Sequence, residues 1–453
     1  MRLSTPSPPR LLLISFLVLI AVGTLLLKLP AATPEEAPLS WVDALFTATS
    51  AACVTGLVVR DTGTAFTPFG QGVILALIQL GGLGVMTFSL FLFGLFRQRL
   101  PVVYRPLMEQ TLSSLAGGEL LPLLRLVLLF TFGTEAVGFV ALLVRWWPEM
   151  GPGEAVWAAL FHSVSAFCNA GFSLWADSLS AWRGDAWVNL VVMGLIVLGG
   201  IGFFVVHDLL RQGRRFRFAA LRHLSVHSKL AIATSLVLIL LGAVFFWVLE
   251  APRTLFGLPM SEQILASLFH SVTTRTAGFN TVDVGALAPA TLFGMTILMF
   301  IGGSPGSTAG GIKTTTVAVL VAAAWSRFDR RLRVNVFNRT LTERTVANSL
   351  AIFLGAAVVG VTGLFVLLLA EAPQQPILGE EAVFLNHFFE TVSALATVGL
   401  STGVTDELST EGRLIVTILM YVGRLGPLTV AAALGSRQPI DDWRYPETEV
   451  VVG

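Results

Sequence analysis

Charged residues are scarce in this 453-residue chain. Asp, Glu, Lys and Arg together make up 13% of it, against about 25% in soluble proteins. Hydrophobic residues reach 54%, and the net charge is only +1. The near-neutral charge argues against a nucleic-acid partner. The composition indicates instead a polytopic membrane protein whose surroundings are a lipid bilayer.

Cysteine is equally scarce, since only Cys53 and Cys168 are present. Two cysteines are too few for a zinc site of the usual spacing, and a disulfide framework is not expected. We expect both to be small apolar packing residues beside the loops described below. A disulfide or a shared metal between them is the alternative.

Eight segments are apolar enough to cross a membrane, for which a helix needs about 20 residues. They lie near 11–29, 70–97, 121–147, 187–210, 228–250, 290–324, 346–370 and 411–435. The segment 290–324 is long enough only if its glycine-rich middle is counted. We therefore predict an all-α, multi-pass membrane protein with eight transmembrane helices.

Arginine is concentrated in alternate connections, and this sets the orientation. The connections 97–125, 211–229 and 325–345 are rich in arginine, whereas the others are acidic or mixed. Cytoplasmic loops carry an excess of Lys and Arg. The basic connections and both termini are therefore predicted to face the cytoplasm.

A phrase recurs four times between the spans, at the end of stretches too short to cross the membrane. The copies are FTATSAACVTGLVV (46–59), FHSVSAFCNAGFSL (161–174), FHSVTTRTAGFNTV (269–282) and FETVSALATVGLST (389–402). Each has a Phe, a Ser/Thr-rich turn and a Gly followed by Leu or Phe. The Gly follows the Phe by ten residues in three copies and by nine in the third. We predict four tandem helix–pore-loop–helix repeats around one central pore, with four re-entrant pore helices. The boundaries are 1–97, 98–210, 211–324 and 325–435, followed by a cytoplasmic tail, 436–453.

The loops that close these phrases are predicted to bind a cation. Irregular backbone at membrane depth is tolerated only where protein buries it or water fills the space. A ring of backbone carbonyls can replace the hydration shell of a cation, and glycine tolerates the positive φ that turns carbonyls inward. The predicted filter residues, with a cation at their carbonyls, are Val54, Thr55, Gly56, Asn169, Ala170, Gly171, Thr276, Ala277, Gly278, Thr397, Val398 and Gly399.

The stretch GGSPGSTAGGIKTTT (302–316) interrupts the third repeat and admits three readings. A serine-nucleophile elbow needs a strand before the turn, and the flanks are apolar helical sequence. A phosphate loop fails because Ile312 separates Gly311 from Lys313. A helix broken by glycines and Pro305 satisfies its backbone only beside protein or water, so we predict a mobile gate beneath the filter. Its residues are Gly302, Gly303, Ser304, Pro305, Gly306, Ser307, Thr308, Ala309, Gly310 and Gly311, and Lys313 follows them.

The filter phrases CVTGL (53–57), CNAGF (168–172), RTAGFNT (275–281) and ATVGLSTG (396–403) resemble the four filter loops of the Trk/Ktr/HKT superfamily of potassium transporters. The phrase GGSPGSTAGGIKT (302–314) is similar to the intramembrane loop of the KtrB branch. The resemblance covers about 11–435. It implies a KtrB-like pore subunit rather than an enzyme, which takes up potassium across the bacterial inner membrane.

The resemblance also implies partners and ions. It implies a homodimer on a cytosolic nucleotide-binding ring, with the nucleotide bound by that partner, and sodium as a possible activator or coupling ion. Glycine in all four filter copies, including Gly56, implies potassium preference. No cofactor is expected in this chain. An alternating-access secondary transporter of another small cation or solute is the alternative function.

Two intramembrane arginines need partners because buried charge is costly. The resemblance places Arg424 on the pore side, as an electrostatic barrier and a tether for 302–311. Arg275 is expected to point away from the pore and to pair with a carboxylate such as Glu390. Lys313 either approaches the cytoplasmic pore mouth or reaches toward the membrane interface. Repeats one, two and four are expected to return to the cytoplasm without a break.

Overall fold

The computed structural model describes residues 8–34, 38–99, 120–211, 224–331, 333–372 and 380–434. The predicted tail, 436–453, lies outside the described residues. So do the middle parts of the basic connections 97–125 and 211–229. The described part of the chain is mostly helical, which confirms the predicted all-α class.

Fifteen α-helices follow one another along the described residues. They are α1 Pro8–Leu27, α2 Trp41–Ala52, α3 Pro68–Arg99, α4 Leu120–Trp146, α5 Pro152–Phe167, α6 Ala186–Gly200, α7 Phe203–Arg211, α8 Val226–Glu250, α9 Met260–Thr273, α10 Pro289–Phe300, α11 Thr314–Phe328, α12 Glu343–Glu371, α13 Glu380–Ala396, α14 Thr410–Leu425 and α15 Pro427–Leu434. A small hairpin, β1 Asn335–Val336 and β2 Arg339–Thr340, lies in the third basic connection; the sequence analysis did not predict it.

The short helices α2, α5, α9 and α13 are the four predicted pore helices. Helices α2, α5 and α13 each pack between the outward and the returning helix of their own repeat, and α9 packs on the outward helix α8. Neighbouring repeats pack α3 on α5, α6 on α9 and α10 on α13, and α14 returns to α2. The four units therefore close into a ring, as four parallel repeats around one axis require. The boundaries between the repeats stay predictions.

Each recurring phrase is buried at two points, one inside the pore helix and one just after the filter glycine. The phrase's phenylalanines, Phe46, Phe161, Phe269 and Phe389, are fully buried. So are the residues after the filter glycines, Leu57, Phe172, Phe279 and Leu400. Burying such a side chain contributes about 1.5–3 kcal/mol. Each loop is thus anchored on both sides by an apolar side chain.

An ion pair closes the ring between the first and last repeats. Arg413 Nη1 in α14 donates to Asp43 Oδ1 in α2 at 2.6 Å. Asp43 lies in the first turn of the pore helix, where the side chain of Ser40 accepts the Asp43 N–H. A carboxylate at a helix N-terminus is itself favourable, so this contact joins two distant repeats at a stabilised helix end.

Three returning helices are broken, and this corrects the expectation that only the third repeat has a break. The third is split between α10 and α11, as predicted. In the second repeat α6 and α7 meet at 92°, and in the fourth α14 and α15 meet at 89°. Gly202 (φ +89°) and Gly426 (φ +81°) stand at these bends. A φ in that range is accessible to glycine and costly for other residues, so glycine permits the bend at both positions.

Candidate functional site: a ring of four loops and a loop beneath it

The four filter loops share one unusual backbone conformation. Two residues before each glycine, the chain adopts a left-handed φ at Val54 (+55°), Asn169 (+58°), Thr276 (+70°) and Thr397 (+50°). The glycines follow with positive φ at Gly56 (+96°), Gly171 (+70°), Gly278 (+82°) and Gly399 (+93°). Positive φ is rare for non-glycine residues, above all for β-branched Val and Thr. Its recurrence at four matched positions indicates strain maintained for function.

The glycines meet one another in a closed ring. A Cβ atom at Gly56 would lie 2.5 Å from the Ala170 carbonyl oxygen. An added Cβ would also lie close to a carbonyl oxygen at the other three glycines. The distances are 2.9 Å from Gly171 to Ala277 O, 2.5 Å from Gly278 to Val398 O and 2.2 Å from Gly399 to Thr55 O, each measured from the added Cβ. Each glycine thus lies against the carbonyl of the next loop in order, and any side chain there would collide with it.

Hydroxyl groups of the pore helices hold the loops, and sequence reasoning did not assign them this role. Ser50 Oγ accepts the Gly56 N–H and Ser393 Oγ accepts the Gly399 N–H, both at 3.1 Å. In the other two loops, Ser165 Oγ donates to the Phe172 carbonyl and Thr273 Oγ1 to that of Phe279. The Ser/Thr-rich turn in each phrase is the sequence feature from which these residues could have been identified.

The one-residue shift in the third phrase has a structural counterpart. In the first loop the Thr55 N–H donates to the Ser50 carbonyl, five residues back. In the third loop the Ala277 N–H donates to the Thr273 carbonyl, four residues back. The third pore helix therefore ends with a tighter turn, and its glycine still reaches the ring.

Outside the ring lies a polar cavity of about 800 Å³ that all four glycines line. One aspartate from each repeat also lines it, Asp61, Asp177, Asp283 and Asp406, together with Arg60 and Arg413. Each aspartate follows its filter glycine by five to seven residues, a regularity that the sequence analysis missed. Acidic groups at the mouth of a cleft raise the local concentration of cations.

The gate loop, residues 302–311, lies under the ring and is closed at its base. Ile301 and Ile312 form a parallel bridge, in which the Gly302 N–H donates to the Ile312 carbonyl at 2.9 Å. The Thr314 N–H donates to the Gly303 carbonyl at 3.0 Å. Most of the loop is buried, so protein satisfies its backbone, as membrane depth requires.

The gate loop contacts the inner side of the filter directly. The Gly310 N–H donates to Thr276 Oγ1 at 3.1 Å, and a Cβ at Gly310 would lie 1.9 Å from Thr397 Oγ1. Thr308 Oγ1 donates to the carbonyl of Phe167, the last residue of pore helix α5, at 3.1 Å. The loop thus contacts the pore helix of the second repeat and the filter loops of the third and fourth repeats.

Arg424 and Lys313 both reach the gate loop. Arg424, which is buried, donates from Nη1 to the Thr308 carbonyl at 2.5 Å and from Nη2 to the Gly81 carbonyl at 3.0 Å. Lys313 Nζ donates to the Ala309 carbonyl at 2.7 Å. The structure therefore brings both predicted cations to the loop, and their role in gating stays a prediction.

Arg275 does not pair with Glu390, contrary to the sequence-based expectation. Its Nη1 donates to the Ser235 carbonyl in α8 at 2.9 Å. Glu390 accepts a hydrogen bond from Ser401 Oγ instead. Among the described residues no ion pair joins the two. A backbone carbonyl partner satisfies the guanidinium donor without burying a second charge.

The cysteines are free and buried, as expected of packing residues. Within the described part of the chain, no group of three His, Cys, Asp or Glu side chains could hold a metal ion. Ser304 Oγ lies 3.0 Å from Thr314 Oγ1, a pairing that closes the base of the gate loop.

Four re-entrant loops closing a carbonyl ring between broken membrane helices define a class of ion-conducting membrane proteins. The comparison with protein families agrees: the model of TrkH, a cation transport protein, matches residues 12–441. The chain belongs to this family, is a multi-pass membrane protein and is not an enzyme.

Two relatives are similar over nearly the whole chain. The Ktr system potassium uptake protein B of Bacillus subtilis is 39% identical, over 99% of this chain and 97% of that protein. Its namesake from Vibrio alginolyticus is 41% identical, over 98% and 95%. The solved structure of the potassium transporter TrkH from Vibrio parahaemolyticus matches with a TM-score of 0.75 at 19% identity, over 96% of this chain and 86% of that one. This last match bears on the fold alone.

Proposed function

We propose that this chain takes up potassium across the cytoplasmic membrane through the ring of filter-loop carbonyls. The observation that carries the proposal is the matched pair of left-handed residues in all four loops, which closes a ring of glycines and carbonyls. The names of the two relatives, both potassium uptake proteins, support the choice of ion.

The physical basis is replacement of water by backbone oxygen. The carbonyls of Thr55, Ala170, Ala277 and Val398 belong to the ring. The pore helices end immediately before them, so the partial negative charge of four helix C-termini favours a cation at this level. The aspartates of the outer cavity supply cations to its mouth.

The gate loop blocks the path inside the filter in the conformation seen here, and its movement opens the pore. Support comes from its direct contact with Thr276 and Thr397, and from its small, glycine-rich composition. Arg424 holds the loop at Thr308 and places a positive charge beside the path, where it opposes a passing cation.

The assembly and its location are part of the same proposal. The chain forms a homodimer in the bacterial inner membrane with both termini cytoplasmic, on a cytosolic ring that binds nucleotides. Sodium acts as an activator or coupling ion. The resemblance of the filter and gate phrases supports these points, together with the arginine-rich connections, which the positive-inside rule assigns to the cytoplasm.

The test is rubidium uptake in a host that lacks its own potassium uptake, with the chain expressed alone and with its regulatory subunit. We expect rescue of growth at low potassium and saturable rubidium uptake. Gly56→Ser should raise the passage of sodium relative to rubidium. Expression at normal level in the membrane without growth rescue or rubidium uptake would contradict the proposal.

The gating part is tested with Arg424→Ala, compared with Arg424→Lys. Loss of the guanidinium removes the hydrogen bonds to Thr308 and Gly81 and the charge beside the path. We expect uptake to rise in Arg424→Ala, with a smaller rise in Arg424→Lys, which keeps the charge. Uptake kinetics unchanged from wild type in Arg424→Ala would rule out a pore-side role.

A further inference from the structure

The break between α6 and α7 leaves backbone groups that the gate loop satisfies. In a continuous helix the Gly199 and Gly200 carbonyls would accept the N–H groups of Phe203 and Phe204, four residues on. Here Gly199 accepts from Thr308 N at 3.2 Å, and Gly200 accepts from Ser304 N at 2.9 Å.

The exchange is reciprocal, because the first N–H of α7 also turns to the gate loop. The Phe203 N–H donates to the Gly306 carbonyl at 3.0 Å. Three backbone hydrogen bonds thus join the break to the loop. We call residues 199–203 the clasp. Backbone groups of the clasp and of the gate loop that have no partner within a helix are hydrogen-bonded to one another. Without the other segment, each would leave buried backbone groups without hydrogen bonds.

The close approach of the clasp and the gate loop requires glycine at Gly202 and Gly306. Gly202 has φ +89°, and a Cβ there would lie 2.4 Å from the Pro305 carbonyl oxygen. On the other side, a Cβ at Gly306 would lie 2.7 Å from the ring of Phe203 and 3.0 Å from that of Phe204. The backbone of the clasp and that of the gate loop approach one another as closely as glycine permits.

The fourth-repeat bend has the same conformation but not this contact. Gly426 has φ +81°, and the nearest atom to a Cβ there is Thr429 Oγ1, at 3.9 Å. Its N–H donates within its own helix, to the Val422 carbonyl. The two bends therefore differ in whether their backbone contacts the gate loop, which makes one a control for the other.

Helix α7, which follows the clasp, is hydrogen-bonded to the start of the third repeat. Asp208 in α7 accepts hydrogen bonds at Oδ2 from Ser225 N, at 2.9 Å, and from Ser228 Oγ, at 2.7 Å. Ser225 is the N-cap of α8. The helix α7 is thus tied at one end to the gate loop and at the other to the start of α8.

We propose that the clasp holds the gate loop closed, and that displacement of α7 from α8 releases it. The proposal rests on the proposed role of residues 302–311 as the gate. It assigns Gly202 and Asp208 as positioning residues, which act on the path only through the gate loop.

The test measures accessibility of the gate loop and does not depend on transport. Ser304, which is fully buried, is replaced in Ser304→Cys on a Cys53→Ala, Cys168→Ala background, and its labelling by a small charged thiol reagent is timed in membranes. Gly202→Ala is compared with Gly426→Ala, which has matched φ, and with Gly194→Ala, where a Cβ meets open space. We expect labelling about tenfold faster in Gly202→Ala alone, a shift typical of coupled sites.

Equal labelling rates in Gly202→Ala and Gly426→Ala would overturn the proposal, since the bend and not the contact would then matter. If Gly202→Ala does not reach the membrane, Asp208→Ala replaces it, because it leaves the bend intact. Faster labelling is again expected, with Asp208→Asn, which keeps an acceptor oxygen, closer to wild type. An Asp208→Ala rate equal to wild type would equally overturn it. Absence of rubidium uptake in wild type would count against the transport proposal, whereas the labelling rates would still decide the clasp.

Discussion

The outer and inner halves of the pore region are built in opposite ways. The four filter loops repeat one backbone conformation, and each is held mainly by hydroxyls of its own pore helix. The gate loop occurs once and is held by groups from elsewhere, including Gly199, Thr276 and Arg424. The proposed filter needs equal contributions from all sides of an ion, whereas the proposed gate needs only one element that can move.

Because of this difference, added side-chain volume should change transport in opposite directions in the two regions. Extra volume in the filter should destroy the ring and stop transport. Extra volume in the gate loop should weaken its fit under the filter and increase transport. Loss of a single loop-holding hydroxyl should have the mildest effect, on selectivity.

The largest effect is expected for Gly399→Ala. Its Cβ would lie 2.2 Å from the Thr55 carbonyl oxygen at a φ of +93°, so the ring cannot keep its geometry. We expect rubidium uptake to fall roughly tenfold or more, equivalent to at least about 1.4 kcal/mol. The matched control is Gly403→Ala, with φ +96° and open space around the added atom. An equal loss in both variants would show that backbone strain, and not ring closure, controls uptake.

The next effect, of opposite sign, is expected for Gly310→Ala. The added Cβ would lie 1.9 Å from Thr397 Oγ1 and 2.5 Å from the Ala396 carbonyl oxygen, which should push the loop away from the filter. We expect rubidium uptake without the regulatory subunit to rise about fivefold, at the low end of allosteric couplings. Gly133→Ala in α4, which meets open space, is the control. A fall in uptake with normal membrane expression would assign Gly310 to the filter and not to the gate.

The smallest effect on total uptake is expected for Ser50→Ala. It removes the acceptor of the Gly56 N–H, a hydrogen bond worth about 1 kcal/mol. We expect the rubidium-to-sodium uptake ratio to fall about fivefold, by conversion of that energy, while total uptake changes less. Ser15→Ala is the control, because Ser15 Oγ donates to Leu12 within its own helix. A ratio unchanged in Ser50→Ala would mean that the pore helix alone holds the first loop.

The repeated features were readable from the chain because each recurs with its own local cause. The phrase ending at Gly56 predicted its counterparts at Gly171, Gly278 and Gly399, and all four close the ring. Pro305 and its neighbouring glycines likewise predicted the split of the third returning helix, because proline cannot continue it.

Two of the features that were missed have partners far away in sequence. The segment LGGIGFF (198–204) contains no proline and reads as continuous apolar helix, and its break is stabilised by hydrogen bonds to residues 304–308, about a hundred positions on. The sequence predicts a carboxylate partner for Arg275, because acidic residues can be identified in a sequence and a buried charge needs a partner. Its actual partner, the Ser235 carbonyl, is a backbone group that every residue offers.

The sequence by itself determined the membrane class, the four repeats, the glycine positions and the split in the third repeat. These follow from hydrophobic length, local spacing and the backbone freedom of single residues, all of which are encoded within one segment. Only the tertiary structure decided that the second repeat is bent, that Gly310 contacts the predicted filter, and that residues 199–203 exchange hydrogen bonds with residues 302–311. These depend on hydrogen bonds exchanged between segments whose proximity arises only when four repeats close around one axis.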